Sequence, residues 1–365
     1  MPTDLMLSVA AENLQAKLKQ TAEEQRRVSL IQPFHIWISG ALSPVCHVLI
    51  PKLLSAEVFP GVSLISLHLL DLDGTEEGLQ DLRMETQDLA LISPQVTVHT
   101  NVEQAFRHAD VVLLLDDGPA DGESDPEEDR RTSVKKISER YREYGRLIDS
   151  RARREVKVMV SGDSFVNLRC SLLVDSACSI ESRQFIAMAT QLENEAKAII
   201  AKQLNVRASG IYVTDVIVWG NISGIFYIDV QMAKVFNYDG AVKGPPFFWQ
   251  PVLKWLETDL QSLAGRRRGA VTLKTGRAAG MAAANGLLAV LRAWSGAGDT
   301  QEVLSVGVPC TGRDVTADSC GPSVGDKLKE RIQLSLDELL QVTQTQTPRR
   351  EKSREIILYL QQTRT

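Results

Sequence analysis

The sequence predicts an α/β fold: a doubly wound parallel sheet of the nucleotide-binding class, followed by a domain of α+β type. Three observations carry this reading. Near-continuous apolar runs, FHIWIS (34–39), VSLISLHLL (62–70), VVLLL (111–115) and VKVMVS (156–161), alternate with helical segments. Strands of that kind are buried on both faces, as in a parallel sheet covered by helices. The first run leads directly into GALSPVC (40–46), a glycine turn that opens an apolar helix. Such a helix N-terminus, approached closely by backbone, is suited to a phosphate. Asp71 ends the second run, where an acid can take the hydroxyls of a ribose.

The remaining elements follow in order. GTEEGLQDLRMETQDLALI has helical spacing, and QVTVHT (95–100) alternates as a strand. VEQAFRHA is expected to form a short helix. The acidic stretch DDGPADGESDPEED (116–129) reads as a solvated loop before a long charged helix from Arg130. In the second half, RQFIAMAT (183–190) and GIYVTDVIVWG (210–220) read as strands, with FYIDV (226–230) able to hairpin back onto the latter. Helices are expected at LENEAKAIIAKQL, PVLKWLETDLQSL and KLKERIQLSLDELLQV, with AAGMAAANGLLAVL (278–291) as a buried core helix. The expected divisions are a helical extension over 1–30, a nucleotide-binding domain over 31–165, an α+β domain over 166–345 and a polar tail, mobile or loosely docked, over 346–365.

Composition excludes several classes. Hydrophobic residues make up 44% and charged residues 24%, ordinary values for a globular chain. A net charge of −5 argues against broad nucleic-acid binding. The five cysteines, at 46, 170, 178, 310 and 320, show no CxxC spacing, so neither a metal site nor a disulfide framework is expected. Asp4, Glu12, Glu23 and Glu24 near the start fit neither a signal nor a transit peptide, and no run of about 18 apolar residues suggests a membrane span. A cytoplasmic protein is the expectation.

Taken together, FHIWISGALSPVCHVLI, HLLDLD, METQDLA, AFRHADVVLLLDD, VKVMV, DVIVWGNISG and LSVGV resemble the NAD-dependent malate dehydrogenase family, within the lactate/malate dehydrogenase superfamily. WGNISG, with TDLMLSVAAENL at the start, is similar to its divergent 1B branch. The resemblance implies a Rossmann domain, an α+β substrate domain, an NAD cofactor and a homodimer, to which the charged helix 130–145 could contribute. It implies cofactor contacts at Gly40, Ala41, Ser43, Asp71 and Gly162, with Ser43 standing where the family has its next glycine. The family's glycine after the fourth strand falls on Asp116, so NAD binding is expected to be weak at most.

The resemblance also exposes departures. The family's proton-transfer histidine directly follows W-G-N, and here that position is Ile222. A general base near neutral pKa is what hydride transfer to or from a hydroxy acid needs. The chain's five histidines, at 35, 47, 68, 99 and 108, all precede the second domain. The histidine's usual acidic partner aligns with Glu193, and the carboxylate-gripping arginine with Glu195. Of the two arginines on the family's substrate lid, one falls on Ala120 and the other on Arg130. A substrate-contacting asparagine falls on Asp163, and a helix serine falls in RAAGMAA, which has none. Two readings stand: a catalytically impaired family member acting as a binding or scaffold protein, or a genuine dehydrogenase of malate or another 2-hydroxy acid with an unusual base. After LSVGVPCTGRD about thirty residues of the family pattern are absent or replaced, which could leave a sheet edge open.

Overall fold

The computed structural model describes residues 32–89, 95–115, 126–203, 212–221, 224, 226–230, 233–236, 280–297, 304–309 and 356–357, with isolated positions at 260, 262, 264, 266 and 334. β1 (Phe34–Ser39), β2 (Ile65–Leu70), β3 (Gln95–His99), β4 (Val111–Leu114), β5 (Lys157–Val160) and β6 (Phe185–Met188) run parallel in one sheet. β11 (Val306–Pro309) pairs antiparallel with β6, and β12 (Ile356–Ile357) antiparallel with β11. The spatial order is β12-β11-β6-β5-β4-β1-β2-β3. Strand order reverses beside β1, between β4 and β2, and ligands of such sheets sit in the crevice beyond the strand ends there.

The sheet therefore runs past residue 165, through β6 to β11. The segment expected as a polar tail supplies β12, because the β-branched pair Ile356–Ile357 bonds to the edge that β11 offers.

Each face of the sheet buries alternate side chains. On one face Trp37, Leu70, Val112, Leu114, Val158 and Val160 pack under α3 (Pro126–Arg151) and α4 (Val166–Ser176). On the other, Ile36, Ile38, Leu67, Leu69, Val111 and Leu113 pack under α1 (Pro44–Leu53), α2 (Glu76–Gln87) and α6 (Gly280–Ser295). Burial on both faces is why these strands read as apolar throughout. Local chemistry sets the helix starts. Ser43 caps α1 with Pro44 at its first position, and Thr75 caps α2 with Glu76 and Glu77 in the first turn. α6, the expected core helix, lies directly against α1: a Cβ on Gly280 would stand 3.0 Å from the Pro44 carbonyl carbon. α3 begins at Pro126, inside the stretch expected as an acidic loop, because proline suits a first helical turn. Residues 116–125 of that stretch lie outside the described residues, as do the helices expected over 251–263 and 327–342 apart from the isolated positions 260, 262 and 334.

Beyond β6, α5 (Thr190–Gln203) leads to two small antiparallel pairs. β7 (Tyr212–Thr214) pairs with β10 (Lys234–Phe236), and β8 (Ile217–Gly220) with β9 (Phe226–Asp229). The expected hairpin is present. The single strand expected over 210–220 is broken at Asp215, whose φ of 56° turns the chain out of the extended region.

The expected helix at VEQAFRHA does not form. Phe106 and His108 adopt φ of 62° and 55°, which no right-handed helix accommodates. Tertiary bonds replace the helical ones. Arg151 Nη1 donates to the carbonyls of Val102, Glu103 and Ala105 at 2.9, 3.1 and 3.3 Å. Phe106 is fully buried, edge-on to Trp37 and Tyr144.

Three of the five histidines lie side by side on β1–β3. His35 Nδ1 and His68 Nε2 share a hydrogen bond of 2.9 Å, His68 Nδ1 meets Thr97 Oγ1 at 2.7 Å, and Thr97 Oγ1 meets His99 Nε2 at 2.9 Å. The His68 ring stacks on Trp37, centroids 4.3 Å apart. Burial first, then the neighbouring His35 and His99, pulls the His68 imidazole down to about 3. Burial also lowers His35 and His99. A folded pKa below the unfolded 6.5 means the unfolded chain binds more protons between those values, so stability from His68 is complete above pH 6.5 and is lost as pH falls toward 3. Melting temperatures measured from pH 7 to pH 4 should therefore fall less steeply for His68→Gln than for the parent. Parallel curves would show that His68 is not the titrating group.

Candidate functional site

Two clusters of the expected site residues emerge. The first lies at the mouth of the crevice. Gly40 ends β1 with φ of 72°, which turns the chain onto α1. Ala41 is buried and donates its N–H to the Leu70 carbonyl at 3.1 Å; Ser43 donates to the Gly40 carbonyl at 3.0 Å and its hydroxyl accepts from Val45. Asp71 is nearly buried. Its Oδ2 accepts from Leu42 N–H at 3.0 Å, and its Oδ1 from Asp73 N–H at 3.2 Å. Gly162, with φ of 131°, follows Ser161 at the end of β5. The turn and Asp71 thus lie together at the ends of β1 and β2, where the family resemblance sets its cofactor contacts. Yet the N–H groups of Ala41, Leu42 and Ser43 are already committed, and Pro44 has none.

The floor of this crevice is a polar network that the sequence did not announce. Tyr144 of α3 shares a hydrogen bond of 2.9 Å with Ser39 at the end of β1. Arg169 of α4, with no exposed surface, donates to Tyr141 Oη and to the Ser161 carbonyl, both at 3.1 Å, and lies over the Tyr141 ring. Arg140, one turn before Tyr144, makes a bidentate ion pair with Asp73 on the β2–α2 loop, at 2.6 and 2.8 Å. That pair holds the Asp73 carboxyl below its usual range. The available signal was Arg169 itself, a lone cation inside the apolar run NLRCSLLV. Nothing local marked its partners.

The second cluster is built on the first turn of α5. Glu193 has no exposed surface. Its Oε2 accepts from Ser305 N–H at 2.7 Å, and its Oε1 meets Lys197 Nζ at 2.5 Å. Burial pushes its carboxyl above the usual range, opposed by Lys197 and Ser305. Ser305 in turn accepts from Val218 N–H of β8 with its hydroxyl oxygen at 3.1 Å, and from the Thr190 hydroxyl with its carbonyl at 3.1 Å. Glu195 is also buried and accepts from Gln191 Nε2 at 3.0 Å. Lys197 could have been read from its i+4 spacing to Glu193. Ser305, 112 residues away, could not.

Ile222 lies outside the described residues. Its flanks are described: Asn221 is buried, and its carbonyl accepts from Gly224 N–H at 3.1 Å across the turn. Ala120 and Asp116 are likewise outside. Arg130 is placed in the first turns of α3, with its side chain outside the described residues. Among the described residues no group of three or more His, Cys, Asp or Glu could hold a metal ion, and no helix is long and apolar enough to cross a membrane.

Glu193→Ala would leave Lys197 and the Ser305 N–H facing a void. Removing one partner of a buried pair costs about 3–5 kcal/mol. The urea midpoint of Glu193→Ala should fall accordingly, and that of Glu193→Gln, which keeps an acceptor for Ser305, should fall less. Unchanged midpoints for both would mean that Glu193 is not the anchor of this junction.

No family model matches the chain. A human protein provisionally named malate dehydrogenase 1B is 38% identical over 319 residues, which are 86% of this chain and 60% of that relative. The chain thus spans less than two thirds of that relative's length. The solved malate dehydrogenase of Naegleria fowleri superposes with a TM-score of 0.72 at 18% identity, over 86% of this chain and 98% of its own. The lactate dehydrogenase of Trichomonas vaginalis, solved with NADH and oxamate, gives 0.70 at 21%, over 86% and 97%. At those identities the structural likeness shows the fold, and in sequence the chain is similar, at 35–38% identity, to the malate dehydrogenase 1B proteins, the 1B branch of the malate dehydrogenase family.

Proposed function

We propose that this chain keeps the dinucleotide-binding architecture of malate dehydrogenases but is severely impaired in interconverting malate and oxaloacetate, and acts as a binding or scaffold protein. The observation that carries this is Glu193. The carboxylate aligned with the one that orients the family's histidine has one oxygen on Ser305 N–H and the other on Lys197. It serves as a structural anchor. The sequence offers no histidine beyond residue 108 for it to orient. The position aligned with the substrate-gripping arginine is Glu195, an anion where the substrate is a dianion.

The fit to NAD is divided. Gly40 and Asp71 stand where a dinucleotide needs them, and a bound nicotinamide would supply or accept the hydride. The turn's own donors are spent on Leu70, Asp71 and Gly40. Weak NAD binding is the reading that supports both facts. A second reading, a genuine NAD-dependent dehydrogenase of a 2-hydroxy acid, is favoured by the name of the 1B relatives. A homodimer and a cytoplasmic location are what the family resemblance implies.

The test is a steady-state assay with NADH and oxaloacetate beside direct NADH binding. Loss of the base alone removes about 10²–10⁴ in rate, so turnover should lie at least that far below an ordinary ~10 s⁻¹. Ile222→His alone should not restore it. Restoration should need Glu195→Arg and Ala120→Arg as well, because base and clamp act as one unit. A parent protein turning over oxaloacetate at ~10 s⁻¹ overturns the reading.

A further inference from the structure

The crevice beyond β1 carries two features that the family reading does not use. The first is Leu42. Its side chain reaches from the β1–α1 turn across to the β2–α2 loop. A Cβ placed on Gly74 would stand only 2.5 Å from Leu42 Cδ1 and 2.9 Å from Asp71 Cγ, and one on Gly78 would stand 3.3 Å from Leu42 Cδ1. Glycine at 74 is what lets Leu42 sit there. The leucine therefore fills the notch beside the Asp71 carboxylate, which is itself 8% exposed. The second is the Arg140–Asp73 pair. Arg140 belongs to the helix over one sheet face and Asp73 to the loop that leads to a helix over the other. The guanidinium therefore spans the mouth of the crevice at the end of β2, two residues past the ribose-reading acid. The Arg140 side chain is 26% exposed and that of Asp73 68%.

We propose that Leu42 and the Arg140–Asp73 ion pair together determine what this crevice admits, by closing its ribose end against the adenosine of a nucleotide. The inference rests on the dinucleotide architecture proposed above and deepens it. Hydroxyls of an adenosine ribose reach an acid at the end of the second strand from the crevice side. Here that approach is filled by a branched apolar side chain and bridged by a fixed guanidinium. Each oxygen of Asp71 already accepts one backbone N–H, Oδ2 from Leu42 and Oδ1 from Asp73. Entry of an adenosine requires the Leu42 side chain to leave the notch. Opening the Arg140–Asp73 pair widens the mouth. The pair is exposed at its acidic end, so salt weakens it.

The experiment titrates NADH and, separately, ADP-ribose into the full chain by calorimetry. The proteins are the parent, Leu42→Ala, Asp73→Asn and Leu42→Ala with Asp71→Asn, each checked for a cooperative melt. Leu42→Ala should tighten both ligands by about tenfold or more, the scale on which filling or emptying a pocket discriminates. Asp73→Asn should tighten them about two- to fivefold, the worth of a surface ion pair, and less in high salt. Adding Asp71→Asn to Leu42→Ala should erase the gain, which marks the ribose acid as the group uncovered. Equal affinity of parent and both single variants overturns the proposal while leaving impaired turnover standing. Absence of binding in every variant overturns it together with the dinucleotide reading. Rapid turnover by the parent sinks only the proposed function, since closure is judged on binding.

Discussion

A carboxylate with no exposed surface must find donors inside the protein, and the Glu193 carboxylate joins three described elements of the second half of the chain. Its donors are Ser305 N–H and Lys197. Ser305 then holds β8 through Val218 and α5 through Thr190. Three elements far apart in sequence thereby meet at one point: the first turn of α5, the start of β11 and the strand from which the Asn221–Gly224 turn departs. An unpaired charge there would cost several kcal/mol. The junction is consequently a single unit, and its carboxylate is bound before any ligand arrives.

The same logic governs the crevice. α3 presents Arg140, Tyr141 and Tyr144 on one side, and these reach the loop after β2, the buried Arg169 and the end of β1. Arg169 carries the chain on to the end of β5 through the Ser161 carbonyl. A buried network is worth most when satisfied, and a satisfied one is rigid. A receptive nucleotide site needs donors held in reserve, whereas here the N–H groups of the glycine turn are used within the fold. The architecture of a dehydrogenase is kept, while its polar groups are directed inward.

The parallel sheet was legible because its central strands are buried on both faces, which favours apolar residues at most positions, the row of His35, His68, Thr97 and His99 on β1–β3 excepted. The starts of α1 and α2 were legible because Ser43, Pro44 and Thr75 act on their own backbone. The helix expected at VEQAFRHA was not, because its carbonyls are taken by Arg151 and Phe106 is drawn into the core against Trp37 and Tyr144. Local propensity loses to burial of a large ring. The break at Asp215 and the pairing of Ile356–Ile357 with β11 likewise depend on partners that lie elsewhere.

For the site, residue identities were enough to establish that isoleucine follows W-G-N and that no histidine lies beyond position 108, while the family resemblance is what sets Glu193 and Glu195 against the family's acid and arginine. Those are matters of which residues are present, and the segment beyond position 108 has no imidazole of its own to offer. What Glu193 does, that Leu42 fills the notch beside Asp71 and that Arg140 spans to Asp73 were decided by tertiary structure alone. Each is a contact between residues separated by 29 to 112 positions. Such contacts follow from helix placement on a shared sheet, which no local pattern encodes.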